Sequence, residues 1–148
     1  MTRELLRTSF EVAAPIQTAW DHLSRVEQWT SWAFHIKRVE LGPPGALTAE
    51  SVGRFHLSNG VKSSFVMRIF EPPHRWLWSG PFLWMQVHYD HLFEALPDGR
   101  TRLTWIIEGE GFGISLFGRL FASIYRRNLE KAVPRLQSEF STLAAPAP

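Results

Sequence analysis

The apolar pattern of this chain changes its period once, and that change limits the possible folds more than any other feature. Up to Glu110, apolar residues recur at every second position in short blocks, the repeat of a strand with one buried face. Beyond Gly111 and Gly113 the spacing becomes three and four. Phe117, Phe121, Ile124 or Tyr125, Leu129, Ala132 or Val133, Leu136 and Phe140 then fall on one side of a helix running to about Leu143. Such a helix would be roughly 40 Å long at about 1.5 Å per residue. Pro134 lies inside it and removes one intrahelical hydrogen bond, so a kink or a separate last segment is expected near residues 131–133.

The first strand is read from Leu6, Thr8, Phe10 and Val12 alternating with Arg7, Ser9 and Glu11, and it stops at Ala14-Pro15. Proline pre-sets φ for a first helical turn, and Ile16, Trp20 and Leu23 follow at helical spacing, which predicts a short helix over 16–23. A second brief helical turn is expected over 27–32, and an extended segment over 35–41 leads into Gly42-Pro43-Pro44-Gly45. Strands over 54–57 and 61–70 flank Ser58-Asn59-Gly60, a hairpin signal because Asn and Gly tolerate positive φ. After Pro72-Pro73, strands over 75–80 and 82–95 are expected on either side of Pro81, and a last strand over 101–110 follows the turn Pro97-Asp98-Gly99-Arg100. The expected order is one strand, two short helices, about six antiparallel strands and a long helix: an α+β domain whose curved sheet wraps that helix. With 148 residues, a single domain over 1–143 is expected, with the Ala-Ala-Pro-Ala-Pro stretch at 144–148 as a flexible tail.

Composition matters here for its rings: seven Trp, eleven Phe and two Tyr. Burying all of them at roughly 200 Å² each would by itself supply on the order of 100 kcal/mol, the gross hydrophobic term of a whole domain. The aliphatic residues come on top, so some rings are expected to line a cavity or an exposed patch. The absence of cysteine excludes disulfides, zinc–thiolate sites, iron–sulfur clusters and a thiol nucleophile. Sixteen Lys and Arg against fourteen Asp and Glu leave a net charge of +2, too even a balance for a nucleic-acid surface. No apolar run approaches the ~18 residues of a membrane span, and the amino terminus lacks the apolar stretch of a signal peptide. The expectation is a cytoplasmic monomer or homodimer with no nucleic-acid partner and no stable membrane insertion.

In this order the chain resembles the START-like (SRPBCC) superfamily, especially its polyketide cyclase/dehydrase and lipid-transport branch, from about Leu5 to Phe140. The likeness is carried by Phe10-Glu11-Val12-Ala13-Ala14-Pro15 followed by Ala19-Trp20-Asp21-His22-Leu23, and by Trp29-Thr30-Ser31-Trp32 leading to Ile36-Lys37-Arg38-Val39-Glu40. It continues in Pro73-His74-Arg75-Trp76-Leu77-Trp78, in Phe93-Glu94 before Asp98-Gly99-Arg100-Thr101-Arg102-Leu103-Thr104-Trp105, and in Arg127-Asn128-Leu129-Glu130. The resemblance implies a helix-grip fold, a seven-stranded antiparallel sheet gripping the carboxy-terminal helix around a cavity. Members of that superfamily bind lipids, sterols, polyketides, plant hormones or aromatic metabolites, and a minority catalyse cyclisation, dehydration or hydrolysis. Their active-site residues vary between subfamilies, so none carries over to this chain.

If the apolar parity marks the inner face, Phe65, Met67 and Ile69 on one strand, Met85, Val87, Tyr89, His91 and Phe93 on another, and Leu103, Trp105 and Ile107 on a third face the long helix, opposite Phe121, Tyr125 and Leu129. Such stripes ordinarily form a solid core; the resemblance shifts them toward a partly hollow one, with Trp29, Trp32 and Phe34 near its mouth. The expected ligand-binding set is Trp29, Phe34, Phe65, Met67, Met85, Tyr89, His91, Trp105, Phe121 and Tyr125. No catalytic residue is assigned; His91 and Tyr89 are the candidates for any proton transfer. His88-Tyr89-Asp90-His91 invites a metal reading, but residues three apart on a strand point to opposite faces, so no metal and no cofactor is expected. Glu108 and Glu110 share an outward face, and Arg127, Lys131 and Arg135 form a solvated helix face. The glycines of Gly109-Glu110-Gly111-Phe112-Gly113 supply a bend rather than a dinucleotide fingerprint.

Three functions compete. The first is a non-catalytic binding or carrier protein for a small hydrophobic or aromatic ligand, lipid-like or polyketide-like, held between sheet and helix. The second is a cofactor-independent polyketide-type cyclase, aromatase or dehydratase using the same cavity. The third is an interaction module whose exposed rings, among Trp76, Trp84 and Phe112, with Phe82 sharing the parity of Trp84, meet a protein or a membrane surface.

Overall fold

The structure is a computed structural model that describes residues 2–144. Its elements are β1 (Arg3–Val12), α1 (Ile16–Leu23), a 3₁₀ turn (Val26–Ser31), β2 (Ile36–Gly42), β3 (Val52–Leu57), β4 (Lys62–Glu71), β5 (Arg75–Phe82), β6 (Met85–Ala95), β7 (Thr101–Glu110) and α2 (Gly113–Ala144). The seven strands form one antiparallel sheet in the order β1-β7-β6-β5-β4-β3-β2. Only the step from β1 to β2 leaves the neighbour-to-neighbour path. It crosses from one sheet edge to the other through α1 and the 3₁₀ turn, which close one end of the concave face while α2 crosses the rest. This is the helix-grip arrangement that the resemblance implied.

Local chemistry accounts for most boundaries. Pro15 caps α1 in the extended region, and Ala19, Trp20 and Leu23 form the buried side of the helix. The Asn59 carboxamide accepts a hydrogen bond from the Val61 N–H at 3.0 Å, which together with Gly60 at φ 89° shapes the β3–β4 turn. Gly80 is required by close approach: a Cβ there would run into the Ser64 carbonyl, where β5 folds tightly over β4.

The structure differs from the expected elements at four places. Pro81 lies within β5 rather than between strands; β4 pairing ends at Ser79, so a missing N–H at position 81 leaves no β4 carbonyl unpaired. The reversal comes later, at Leu83-Trp84, both with positive φ (45° and 60°). A register shift at Arg68 flips the parity of β4, so that Ile69 turns outward opposite Leu77 while Phe70 turns inward opposite Trp76. Pro134 does not divide α2, which continues past it to Ala144, the first residue of the expected tail; residues 145–148 lie outside the described residues.

The core divides into two regions along the strands. At one end Trp20 packs against Trp76, Phe93 and Phe70, with ring centroids 5.0–5.6 Å apart, and this end is filled. The carboxy-terminal half of α2 is tied to it by polar contacts. Glu139 bonds His22 at 2.7 Å and Ser31 at 2.9 Å, and the Gln137 amide donates to the Glu11 carbonyl at 2.9 Å. At the other end, under the amino-terminal half of α2, the sheet and the helix separate.

Candidate functional site

The space between them is a cavity of about 210 Å³. Its floor is the inner face of the middle strands: Phe55 on β3, Ser63 and Phe65 on β4, Trp78 and Phe82 on β5, and Tyr89 on β6. Its roof is α2, through Phe117, Phe121, Tyr125 and Asn128; Trp29, His35 and Ile36 close the side, and Asn59 and Leu83 stand at the two hairpin tips. The rings interlock. Phe65 stacks on Trp78 at 4.2 Å, Phe55 lies 5.2 Å from Phe65, Phe82 lies 5.1 Å from Phe121, and Trp29 is fixed by its indole N–H donating to the Leu23 carbonyl at 2.8 Å. No Asp, Glu, Lys or Arg lines this cavity among the described residues.

The polar groups inside are therefore neutral. Burial pushes the Tyr89 phenol up to about 12, with the Ser63 hydroxyl pulling weakly the other way. Burial also raises Tyr125, whose ring centroid is 6.0 Å from that of Tyr89, and the neighbouring phenol adds to the effect. Both hydroxyls thus keep their protons at neutral pH. Burial lowers His35, so its imidazole is uncharged as well.

A smaller cavity of about 30 Å³ lies deeper, toward β7, and shares Trp29, His35, Ile36, Tyr89 and Tyr125 with the first. His91, Trp105, Trp32 and Leu129 are among its other walls. His91 is surrounded by Trp29, Trp76, Trp78 and Trp105, with centroids 4.6–6.1 Å away. Its Nδ1–H donates to the Trp76 carbonyl at 3.4 Å, and burial drives its pKa down to about 3. The indole N–H of Trp105 is buried without a hydrogen-bond partner, a donor that a ligand or water oxygen can satisfy.

Of the residues expected from the sequence, Trp29, Phe65, Tyr89, Phe121 and Tyr125 meet in the main cavity, while His91 and Trp105 belong to the inner one. Met67 and Met85 are buried on the inner face but line neither. Phe34 lines neither cavity: it is 59% exposed in a surface groove, with the Arg135 guanidinium 4.1 Å over its ring. Trp76 is fully buried rather than exposed, and Phe82 turns in toward Phe121 rather than outward. His88 points outward to Ser79 at 2.6 Å and Glu110 at 3.0 Å, away from His91. Sequence reading missed Phe55, Trp78, His35, Ser63 and Asn128. Asn128 had a signal, since it stands three residues after Tyr125 on the same helix face; Trp78 had one in sharing the parity of Trp76.

Comparison with known proteins agrees with this geometry. Residues 4–140 match the family model described as polyketide cyclase / dehydrase and lipid transport. Against curated protein sequences the chain has no match. Among solved structures it is similar to the Zhui aromatase/cyclase of a Streptomyces species (TM-score 0.75, 15% identity, 95% of this chain and 94% of that one). It is also similar to the major latex-like protein 151 of Panax ginseng (TM-score 0.74, 11% identity, 95% and 98%). A START superfamily protein from Mycobacterium smegmatis gives a TM-score of 0.69 at 16% identity over 94% and 98% of the two chains. At these identities the likeness is one of fold.

Proposed function

Because the chain belongs to the polyketide cyclase/dehydrase and lipid transport family, we propose that it binds a small, uncharged hydrophobic or aromatic molecule in the cavity between sheet and α2. The observation that carries this reading is the wall itself: about 210 Å³ enclosed by aromatic rings, with hydroxyl, amide and imidazole groups but no charge. Affinity would come from removing ligand surface from water, and orientation from the Tyr89, Tyr125 and Ser63 hydroxyls. A carboxylate or ammonium group would lose its hydration here without gaining a counter-charge. The ligand class is therefore a neutral molecule with one carbonyl or hydroxyl.

The same groups bear on the cyclase reading. An aromatase/cyclase has this fold, and His35 is a neutral imidazole in the cavity wall. His91, held at about 3 and donating to a backbone carbonyl, is a poor base, and phenols raised as Tyr89 and Tyr125 are make weak acids. These values favour holding a ligand over moving its protons.

The test is titration with 2-acetylnaphthalene, read by quenching of the tryptophans in the wall, against 2-ethylnaphthalene and 2-naphthoate. The ketone is expected to bind with a dissociation constant of roughly 10 μM to 1 mM, tighter than the hydrocarbon and much tighter than the acid. Ser63→Leu, which fills part of the cavity, should weaken the ketone at least about tenfold while the far-ultraviolet circular dichroism stays unchanged. Binding of none of the three, or equal binding by the filled variant, overturns the reading.

A further inference from the structure

The fold leaves a second apolar surface around the mouth of this cavity. Ten large apolar residues are exposed among the described residues, and six of them are here: Leu83, Trp84, Phe112, Leu116, Leu120 and Ile124. Trp84 is 63% exposed and Phe112 and Leu116 are each 67% exposed. They are continuous rather than scattered: the Trp84 ring stacks on Phe117 at 5.7 Å and lies 6.2 Å from Phe112, joining the β5–β6 turn to the start of α2. Leu83, Leu120 and Ile124 also line the cavity, so its mouth opens through the patch.

Charge identifies the partner. Between Gly113 and Leu129, α2 carries Arg119, Arg126 and Arg127 and no acid; Glu130 is the first. The acid that precedes the helix, Glu110, is engaged by His88 at 3.0 Å. Along the exposed stripe of α2, steps of four, four, three and four residues lead from Leu116 through Leu120 and Ile124 to Arg127 and Lys131. An apolar tip thus passes into a basic collar about 16 Å further along the helix at about 1.5 Å per residue. This is the profile of an interfacial element on an anionic bilayer, with a tryptophan at the headgroup boundary and basic groups at phosphate depth. A two-fold contact between copies would pair this face with itself and so offer its basic groups no acid of α2 before Glu130.

We propose that this face docks on an anionic lipid surface, with Trp84, Phe112 and Leu116 in the interface and Arg127 and Lys131 against the phosphates, so that the cavity opens toward the lipid. A hydrophobic ligand then passes between bilayer and cavity without crossing water. That path rests on the cavity reading above, whereas the docking does not.

The experiment is flotation with phosphatidylcholine vesicles, with and without phosphatidylglycerol, at low and high salt. The protein is expected to float with the anionic vesicles, less so as salt rises, with a blue shift in tryptophan emission. Trp84→Ser with Phe112→Ser and Leu116→Ser, none of which lines the cavity, should reduce partitioning at least tenfold. Arg127→Glu with Lys131→Glu should abolish the preference for the anionic vesicles. Failure to float with either composition overturns the proposal, as does undiminished flotation of the triple variant. A dimer by analytical ultracentrifugation that the triple variant dissociates, without vesicle binding, overturns it in favour of a second copy. The naphthalene titration in vesicle-free buffer separates the two readings: protein that binds the ketone but no vesicles overturns docking alone, and the reverse outcome overturns the cavity alone.

Discussion

His91 sits where an imidazole cannot carry charge, walled by four indoles and held at about 3 by burial. Its ordinary value near 6.5 returns when the chain unfolds, so between these values the unfolded state takes up a proton that the folded state refuses. The folded-state stability is therefore fully present above about pH 6.5 and falls as the pH drops toward 3. At pH 5 this one group costs about 2 kcal/mol relative to pH 7. Chemical denaturation of His91→Leu at the two pH values should show that much less acid sensitivity than the parent protein; His35, lowered in the same direction, supplies part of what remains. The residue scale also shows what strand parity can and cannot reveal. Parity places Tyr89 and His91 on the inner face because β6 is regular over its length, and it fails at Ile69 because a single extra residue at Arg68 exchanges the two faces. Phe34 has no such guide, lying in the irregular segment between the 3₁₀ turn and β2.

Elements with their own turn chemistry were readable, and the one without it was not. Asn59-Gly60 and Asp98-Gly99 mark hairpins by their tolerance of positive φ. Leu83-Trp84 adopts a conformation of the same kind with neither Asn nor Gly, so nothing in the sequence announces it, and Pro81 draws the expected break two residues early. A left-handed backbone costs roughly 1 kcal/mol or more for each such side chain. Replacing the pair with Asn-Gly should therefore raise stability by about 1–2 kcal/mol, seen as a higher thermal midpoint, while vesicle flotation declines. A variant that unfolds earlier would show instead that the packing of Trp84 on Phe117 outweighs the strain. The long helix is the counterpart. Its period was legible throughout, and the fault expected at Pro134 did not divide it because the flanking Ala132, Leu136 and Phe140 are fully enclosed and hold the helix on both sides.

Across the whole molecule the two halves of α2 are held differently. The carboxy-terminal half has the Glu139 and Gln137 hydrogen bonds and a filled core beneath it, whereas the amino-terminal half rests on rings around empty space. Hydrogen exchange should accordingly be faster over residues 113–126 than over 129–143, and saturating 2-acetylnaphthalene should slow the first set and leave the second unchanged. Uniform protection along the helix would contradict this. The composition had indicated a surplus of rings; what it did not disclose is that the surplus is shared among a solid end, a hollow end and an open rim, because that division depends on where the strands stop pairing and the helix lifts away. None of Trp20, Phe70, Trp76 and Phe93 at the solid end lines either cavity, and Trp76 joins that end to the wall, 5.8 Å from Trp78. The wall can therefore be rewritten for a new ligand while Trp20, Phe70 and Phe93 keep their packing on one another and on Trp76, so a change of ligand need not be a change of fold.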